Sequence, residues 1–504
     1  METRPGRGWR FATGVFGGLV FGLTVLGIKL TAGWATLPDV LVERLLLVVP
    51  LDLFSLGISL LGGWGKVVFY LGMLLGLAGM GGLVSLALGP VASWAAGLGV
   101  GLGAWVLLGL VGMPLLGAGL FGAGLPGGVF PAAGGLLVNC LGYGLGLGAA
   151  WKFLGAAEAP AAPDVGRRRL LAGIGAGAGL LVAGGGLLRL LNPAGSQTGG
   201  GFIGPATPEE PMPPEITPND RFYIVSKNIV DPTVDLVRWR LEVGGLVDRP
   251  FTLRYDDLRR LPAKEEVVTF ECISNEVGGD LISTARWRGV PLAYLLEQAG
   301  IRAGVRKVVI RAWDDYSTAI PLEKARHPGT ILAYEMNGEP LPHKHGFPLR
   351  LVAPGLYGMK NPKWVTAVEA VDYDYLGFWE QRGWSDRAVV KTMSEIIVPS
   401  RTLAVRGPGP LRLGGVAFAG DRGILRVELS FDGGRTWRPA RLRPALSPYS
   451  WVLWTAEWDP PPGSYRVVVR AVDGNGEVQD PTPRPPLPDG ASGYHAITVR
   501  IREV

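Results

Sequence analysis

Cys272 is one of two cysteines in the chain and stands in Thr269-Phe-Glu-Cys-Ile-Ser-Asn-Glu-Val-Gly-Gly-Asp280. The β-prone run Val267 to Phe270 delivers the thiol into an Asn/Gly/Gly loop, where small residues let a large group approach the backbone. Two readings of the thiol are open from this pattern. It is either an inert, buried small hydrophobe or a thiolate ligand for a soft, redox-active metal, which sulfur suits better than oxygen. A second segment, His345-Gly-Phe-Pro-Leu-Arg350, sets a histidine and an arginine on a loop ahead of an apolar run. Both can face one anion, and the planar guanidinium matches phosphate. A third, Tyr357-Gly-Met-Lys-Asn-Pro-Lys-Trp364, adds Lys360 and Lys363. Either lysine suits a solvated turn, but three cations and a histidine within about twenty residues, interleaved with Gly, Pro and aromatics, favour a buried anion site. A fourth segment runs from Asn219 to Asn228 and offers Tyr223, Lys227 and Asn228, while Phe222 and Ile224 suit a core.

From about Pro218 onward these segments resemble the sulfite oxidase family of molybdopterin enzymes. The resemblance implies that Cys272 binds molybdenum directly, beside two dithiolene sulfurs from one molybdopterin. It puts His345 and Arg350 on the terminal phosphate of that cofactor, joined by Lys363 and the backbone of Asn361 and Pro362; Lys360 is a further cofactor-binding candidate by its charge beside them. Tyr223, Lys227 and Asn228 would line the pterin. The implied reaction is two-electron oxygen-atom transfer, with electrons passed singly to an external cytochrome or other redox protein. This sequence departs from the family at the substrate side. The cysteine is followed by Ile273-Ser-Asn-Glu276-Val277 instead of Ala-Gly-Asn-Arg-Arg, and the family's active-site tyrosine falls at Trp384. Arg382 and Arg422 are the candidates to restore an anion site. A small oxyanion such as sulfite and an S-oxide such as methionine sulfoxide both stay open as substrates. A non-catalytic, membrane-anchored binding module is the competing class, and metal content separates it from an enzyme.

These residues need a scaffold. From 218 to 399, strand-like runs (Leu236–Val243, Lys307–Ala312) alternate with a helical one (Leu292–Ala299), which predicts an α+β domain. From 400 to 504 the pattern is β only: Gly414–Ala419, Ile424–Phe431, Ser450–Trp458 and Tyr465–Val472 are separated by turns such as Asp473-Gly-Asn-Gly476. That spacing predicts a β-sandwich. In the resembled family an immunoglobulin-like dimerisation domain stands there, which implies a possible homodimer.

The chain of 504 residues has 77 glycines and a mean hydropathy of +0.26, too apolar for an ordinary soluble protein. The apolar part is residues 1–191, a predicted α-helical transmembrane bundle. Spans of about 20 apolar residues are expected at Phe11–Thr31, Val67–Leu88, Ala92–Val111, Gly134–Phe153 and Leu170–Leu190. Leu37–Leu61 carries Asp39, Glu43, Arg44 and Asp52 and reads as an interfacial helix in contact with membrane lipid. With five spans, Arg4, Arg7 and Arg10 and the cluster Arg167 to Arg169 are both cytoplasmic, and everything after Leu191 is outside the inner membrane. The same three arginines before Leu170 also resemble a twin-arginine export signal. Residues 192–217 read as a Gly/Pro/Ser/Thr linker. All four histidines lie at or after His327, so the bundle holds no bis-histidine haem, and with two distant cysteines neither c-type haem nor an iron-sulfur cluster is expected. The net charge of +6, with scattered arginines, gives no nucleic-acid footprint.

Overall fold

The computed structural model describes residues 7–31, 37–38, 40–41, 65–88, 91, 93–123, 129–155, 212–228, 231–399, 403–406 and 410–502. The chain divides into two compact units, residues 1–196 with 228–232, and residues 197–227 with 233–504.

The described part of the first unit is built from long apolar helices, Arg7–Thr31, Gly65–Leu88, Trp94–Leu107 and Val129–Gly155. They cover four of the five expected spans. The span expected at Leu170–Leu190, and most of the interfacial helix expected at Leu37–Leu61, lie outside the described residues. Ser93 caps the third helix by accepting the Ala96 N–H at 3.1 Å. Glycine seams let the helices touch backbone to backbone. A Cβ on Gly97 would lie 2.3 Å from the Gly144 carbonyl, and one on Gly14 would lie 2.3 Å from that of Gly81. Among the described residues, Gly8–Ile28, Trp94–Leu115 and Val129–Trp151 are long and apolar enough to cross a membrane.

The second unit begins with a domain of two sheets. The first has strand order β2-β1-β10-β5-β6, formed by Leu241–Gly245 (β1), Phe251–Leu253 (β2), Lys307–Ala312 (β5), Ser317–Pro321 (β6) and Val365–Val371 (β10). The other runs β3-β4-β7-β8, with β9 on β7, formed by Lys264–Glu271 (β3), Ile282–Pro291 (β4), Ile331–Met336 (β7), Glu339–Pro340 (β8) and Arg350–Val352 (β9). Trp239, Leu241, Val290, Ile310, Leu332 and Trp364 share the core between them. The helix Leu292–Ala299 packs into this core, starting after Pro291 and stopped by Gly300 at φ 70°. One expected strand is shorter than its apolar run. Asp235 accepts the Val237 N–H at 2.9 Å, and this local bond turns residues 235–238 so that β1 starts only at Leu241.

A two-layer β domain follows. Its sheets are β11-β13-β17-β16 and β12-β19-β18-β14-β15. Their strands are Met393–Val398 (β11), Leu403–Arg406 (β12), Leu411–Phe418 (β13), Ile424–Ser430 (β14), Arg438–Pro439 (β15), Arg441–Leu442 (β16), Val452–Trp458 (β17), Gly463–Asp473 (β18) and Ala496–Arg502 (β19). Ile396, Leu413, Val427, Trp454, Val467 and Val499 fill the space between the layers. Because β11 pairs antiparallel with β13, this domain includes residues the sequence reading assigned to its neighbour before 399. The expected linker also ends early. Thr217 hydrogen bonds with Thr284 through both backbone and side chain, and Glu215 accepts from the Trp451 indole at 3.0 Å, so residues 215–217 are part of the packed domain.

Candidate active site

Strand alternation decides what surrounds Cys272. Val268, Phe270 and Cys272 face a cluster with Phe222, Tyr223 and Trp287, while Thr269 faces the β domain and accepts the Trp451 N–H at 2.8 Å. The thiol is 8% exposed, at the end of β3, and its Sγ lies 3.0 Å from the Ser274 hydroxyl. Asn275 braces the loop, donating to Glu271 at 3.1 Å and accepting the Leu281 N–H at 3.0 Å. Burial pushes the Cys272 thiol up, against the Ser274 hydrogen bond. A thiolate in this position therefore needs a strong cation such as a metal to hold it.

The anion-type residues meet beside it. Arg350 is 6% exposed, lies 4.7 Å from the Phe270 ring and 4.9 Å from the Trp287 ring, and donates to the carbonyls of His345 (3.0 Å) and Asn361 (3.3 Å). Its Nε is buried with no hydrogen-bond partner, and burial lowers its pKa to about 10, opposed only by the Tyr223 phenol. A buried guanidinium with an orphaned donor and no carboxylate costs several kcal/mol unless an anion binds there. His345 is buried and neutral, its pKa lowered to about 4 by desolvation, with Nε2 2.8 Å from the Asn219 carbonyl. Gly346, at φ 115°, lets the loop close on Lys363, since a Cβ there would stand 2.9 Å from that of Lys363. Tyr223 lies between the two chemistries. Its phenol is held un-ionised by burial, then by the charge of Cys272, and a Cβ on Gly358 would lie 2.6 Å from its hydroxyl and 3.8 Å from the Cys272 Cα. A buried guanidinium with an orphaned donor, and a buried thiol that shares Tyr223 and Phe270 as neighbours with it, fit a molybdopterin.

Three expectations for the phosphate side change. Lys360 is completely buried, and its ammonium donates to the Ala319 carbonyl (2.9 Å), Glu380 (2.5 Å) and Asp386 (3.3 Å), which uses all three N–H groups inside the protein. It is an internal ion-pair residue, not a phosphate ligand. The Asn361 N–H is spent on the Gly358 carbonyl, and the Asn361 side chain on Ala353, Leu356 and Tyr357. Pro362 has no N–H and its carbonyl accepts from Leu351. Both therefore support the loop without offering a backbone donor.

Lys227, expected at the pterin, and Arg382, expected at the substrate, both lie close to the Phe378 ring, at 5.2 and 3.6 Å, and Arg382 also donates to the Phe378 carbonyl. Trp384 packs against the cluster of Ile273, Tyr357 and Met359. Arg422 sits in the turn before β14 and directs Nε to Asp473 (2.9 Å) and Nη2 to Thr392 (3.2 Å), so one edge of its fork is already committed. Asn228 falls in the other compact unit. The sequence did not mark Tyr316, a buried phenol that feels the Cys272 charge and donates to the Met359 carbonyl at 2.6 Å. It also did not mark Glu271, whose Oε2 is buried without a partner and whose pKa is raised to about 7 by burial. A lone Tyr in the turn before β6, or a lone Glu at the end of β3, carries no spacing signal.

Residues 228–379 match the family model described as the oxidoreductase molybdopterin binding domain, and residues 387–485 match that of the Mo-co oxidoreductase dimerisation domain. The mitochondrial sulfite oxidase of Homo sapiens is 33% identical over 319 residues, covering 54% of this chain but only 58% of the human protein. The sulfite oxidase of Arabidopsis thaliana is 30% identical over 327 residues, covering 52% of this chain and 82% of the plant protein. Among solved structures, the sulfane dehydrogenase SoxCD from Paracoccus pantotrophus matches with a TM-score of 0.51 and 25% identity, over 58% of this chain and 85% of that one.

Proposed function

Because the chain belongs to the sulfite oxidase family of molybdopterin-dependent oxidoreductases, we propose that it catalyses oxygen-atom transfer to or from a small sulfur oxyanion or S-oxide at a molybdenum bound by Cys272. The observation that carries this is Arg350, a buried cation with an orphaned Nε, close to Tyr223 and over the ring of Phe270, two residues before Cys272. Arg350, His345 and Lys363 would hold the cofactor's phosphate, and Tyr223 would line its pterin. The cofactor supplies a metal that changes oxidation state by two electrons and exchanges one oxygen atom. The chain's own residues do the rest. Phe222, Phe270 and Trp287 exclude water from the Arg350 side, which strengthens each charge contact there. Lys227 and Arg382, both close to the Phe378 ring, would add a positive field that attracts an anionic substrate. Tyr223 keeps its proton and would serve as a hydrogen-bond donor near the thiolate, while the Tyr316 hydroxyl, also un-ionised, is spent on the Met359 carbonyl and holds that turn in place.

The apolar helices would anchor the enzyme in the inner membrane, with the arginine-rich N-terminus cytoplasmic and the catalytic unit outside. Electrons would leave to a separate cytochrome or other redox protein, a reading supported by the lack of any histidine before His327. Molybdenum analysis of the purified protein beside Cys272→Ser, followed by dye-coupled assays with sulfite and with methionine sulfoxide, tests the reading. Near-stoichiometric molybdenum and a turnover that the variant abolishes are expected. Metal-free protein from a host that builds the cofactor would overturn the proposal.

A further inference from the structure

Two carboxylates bracket the segment that carries Arg382 and Trp384. Glu380 precedes them and Asp386 follows, and both reach the same Lys360 ammonium, at 2.5 and 3.3 Å. Lys360 ends the short turn Gly358–Lys360, whose first residue borders the Tyr223 hydroxyl and the Cys272 Cα and whose Met359 carbonyl accepts from Tyr316. The bracket is fixed from outside as well. Thr318 donates to Glu380 at 2.5 Å, Lys307 donates to Asp386 at 2.7 Å, and the Phe378 N–H is bound to the Ser317 carbonyl at 2.9 Å.

We propose that Lys360 is a positioning residue: by binding both ends of the Glu380 to Asp386 segment it fixes Arg382 and Trp384 relative to the Cys272 turn. This rests on the oxidoreductase reading above. A buried ion pair is a poor source of stability, since apolar packing of the same volume does as well or better. What it provides is direction: two carboxylates from one loop can meet one ammonium in few arrangements. Glu380 is 6% exposed and its Oε2 has no partner, so the pair carries an unmet cost that a stability role does not explain.

Hydrogen–deuterium exchange and steady-state kinetics of the full-length protein test this. The variants are Lys360→Met/Glu380→Gln, which removes both buried charges together, Asp386→Asn, which cuts one end of the bracket at a half-exposed residue, and Lys360→Arg, which keeps the charge. The double variant is expected to bind molybdenum as the wild type does and to exchange faster across residues 378–387. Its KM for whichever of sulfite or methionine sulfoxide the wild type turns over should rise on the order of tenfold to a hundredfold, with a smaller change in kcat. Lys360→Arg should recover part of that KM, and Asp386→Asn should loosen only the C-terminal side of the segment. Unchanged exchange and KM in the double variant and in Asp386→Asn, at normal molybdenum content, would overturn the proposal. A wild type without molybdenum would instead strike the oxidoreductase reading, and the exchange data would still decide the bracket.

Discussion

Arg350 is a charge waiting for a counter-charge, and that makes it the residue whose replacement is most informative. Arg350→Lys keeps the cation but loses the planar fork and its ring stacking, so cofactor retention should drop roughly tenfold. Molybdenum per chain and the pterin fluorescence released on denaturation measure it, and unchanged retention would remove Arg350 from the phosphate site. Buried Glu271 and half-buried Glu395 predict a pH dependence for the cofactor-free protein. Glu395 is raised to about 8 by desolvation, then by Asp280 and Glu271, and Glu271 itself is raised to about 7. Folded, they hold protons that the unfolded chain releases near 4.5, so their contribution is complete below that pH and is lost as pH rises through 7 to 8. His345 works in the other window: folded at about 4 against 6.5 unfolded, it loses stability as pH falls between the two. Melting temperature should therefore decline from pH 6 toward pH 9, and Glu395→Gln should flatten that decline. An equal alkaline decline in the variant would mean that Glu395 is already ionised. Cys272 stood out in the sequence because cysteine is rare in this chain, and His345 and Arg350 because a histidine and an arginine stand five apart. Lys360 was misread because the sequence around it does not reveal Glu380, twenty residues away, as its partner.

At the scale of elements, the strands and the helix Leu292–Ala299 were legible wherever period, Pro and Gly agreed. The errors have physical causes. Asp235 spends a strand start on a local turn, and β11 joins the β domain through a partner strand that only the tertiary fold supplies. Loops carry the site, so glycine there is the sensitive residue. Gly346 adopts φ 115° with no room for a Cβ between Lys363 and Arg350. Gly346→Ala should cost about 1–3 kcal/mol and move Lys363 away from Arg350. Denaturant melts of the cofactor-free protein measure the first effect, and weaker cofactor retention reports the second. A variant as stable as the wild type would show that the loop can adopt another path at no cost.

For the whole molecule, the sequence's division into an apolar and a charged half returns as two compact units, and each has its own core. Phe21, Leu136, Cys140 and Tyr143 belong to the helical core, while Trp239, Trp287 and Trp364 are buried within the second unit. The segment from 212 to 227 packs on the second unit through Thr217, Phe222 and Tyr223, so the division of labour does not fall where globular composition begins. A cut that removes these residues would strip Tyr223 from Cys272 and Asn219 from His345. A chain from residue 197 should therefore be soluble, fold cooperatively and take up molybdenum in a host that makes the cofactor, while a chain from residue 233 should not retain it. The full chain should stay with the membrane pellet through alkaline carbonate extraction, because several apolar helices of spanning length do not leave a bilayer when surface charges are titrated. Release of the full chain by carbonate would mean that the helices lie on the membrane instead of crossing it. If the chain from residue 197 did not fold, the two units would depend on each other for stability, and the apolar half would be part of the enzyme's scaffold.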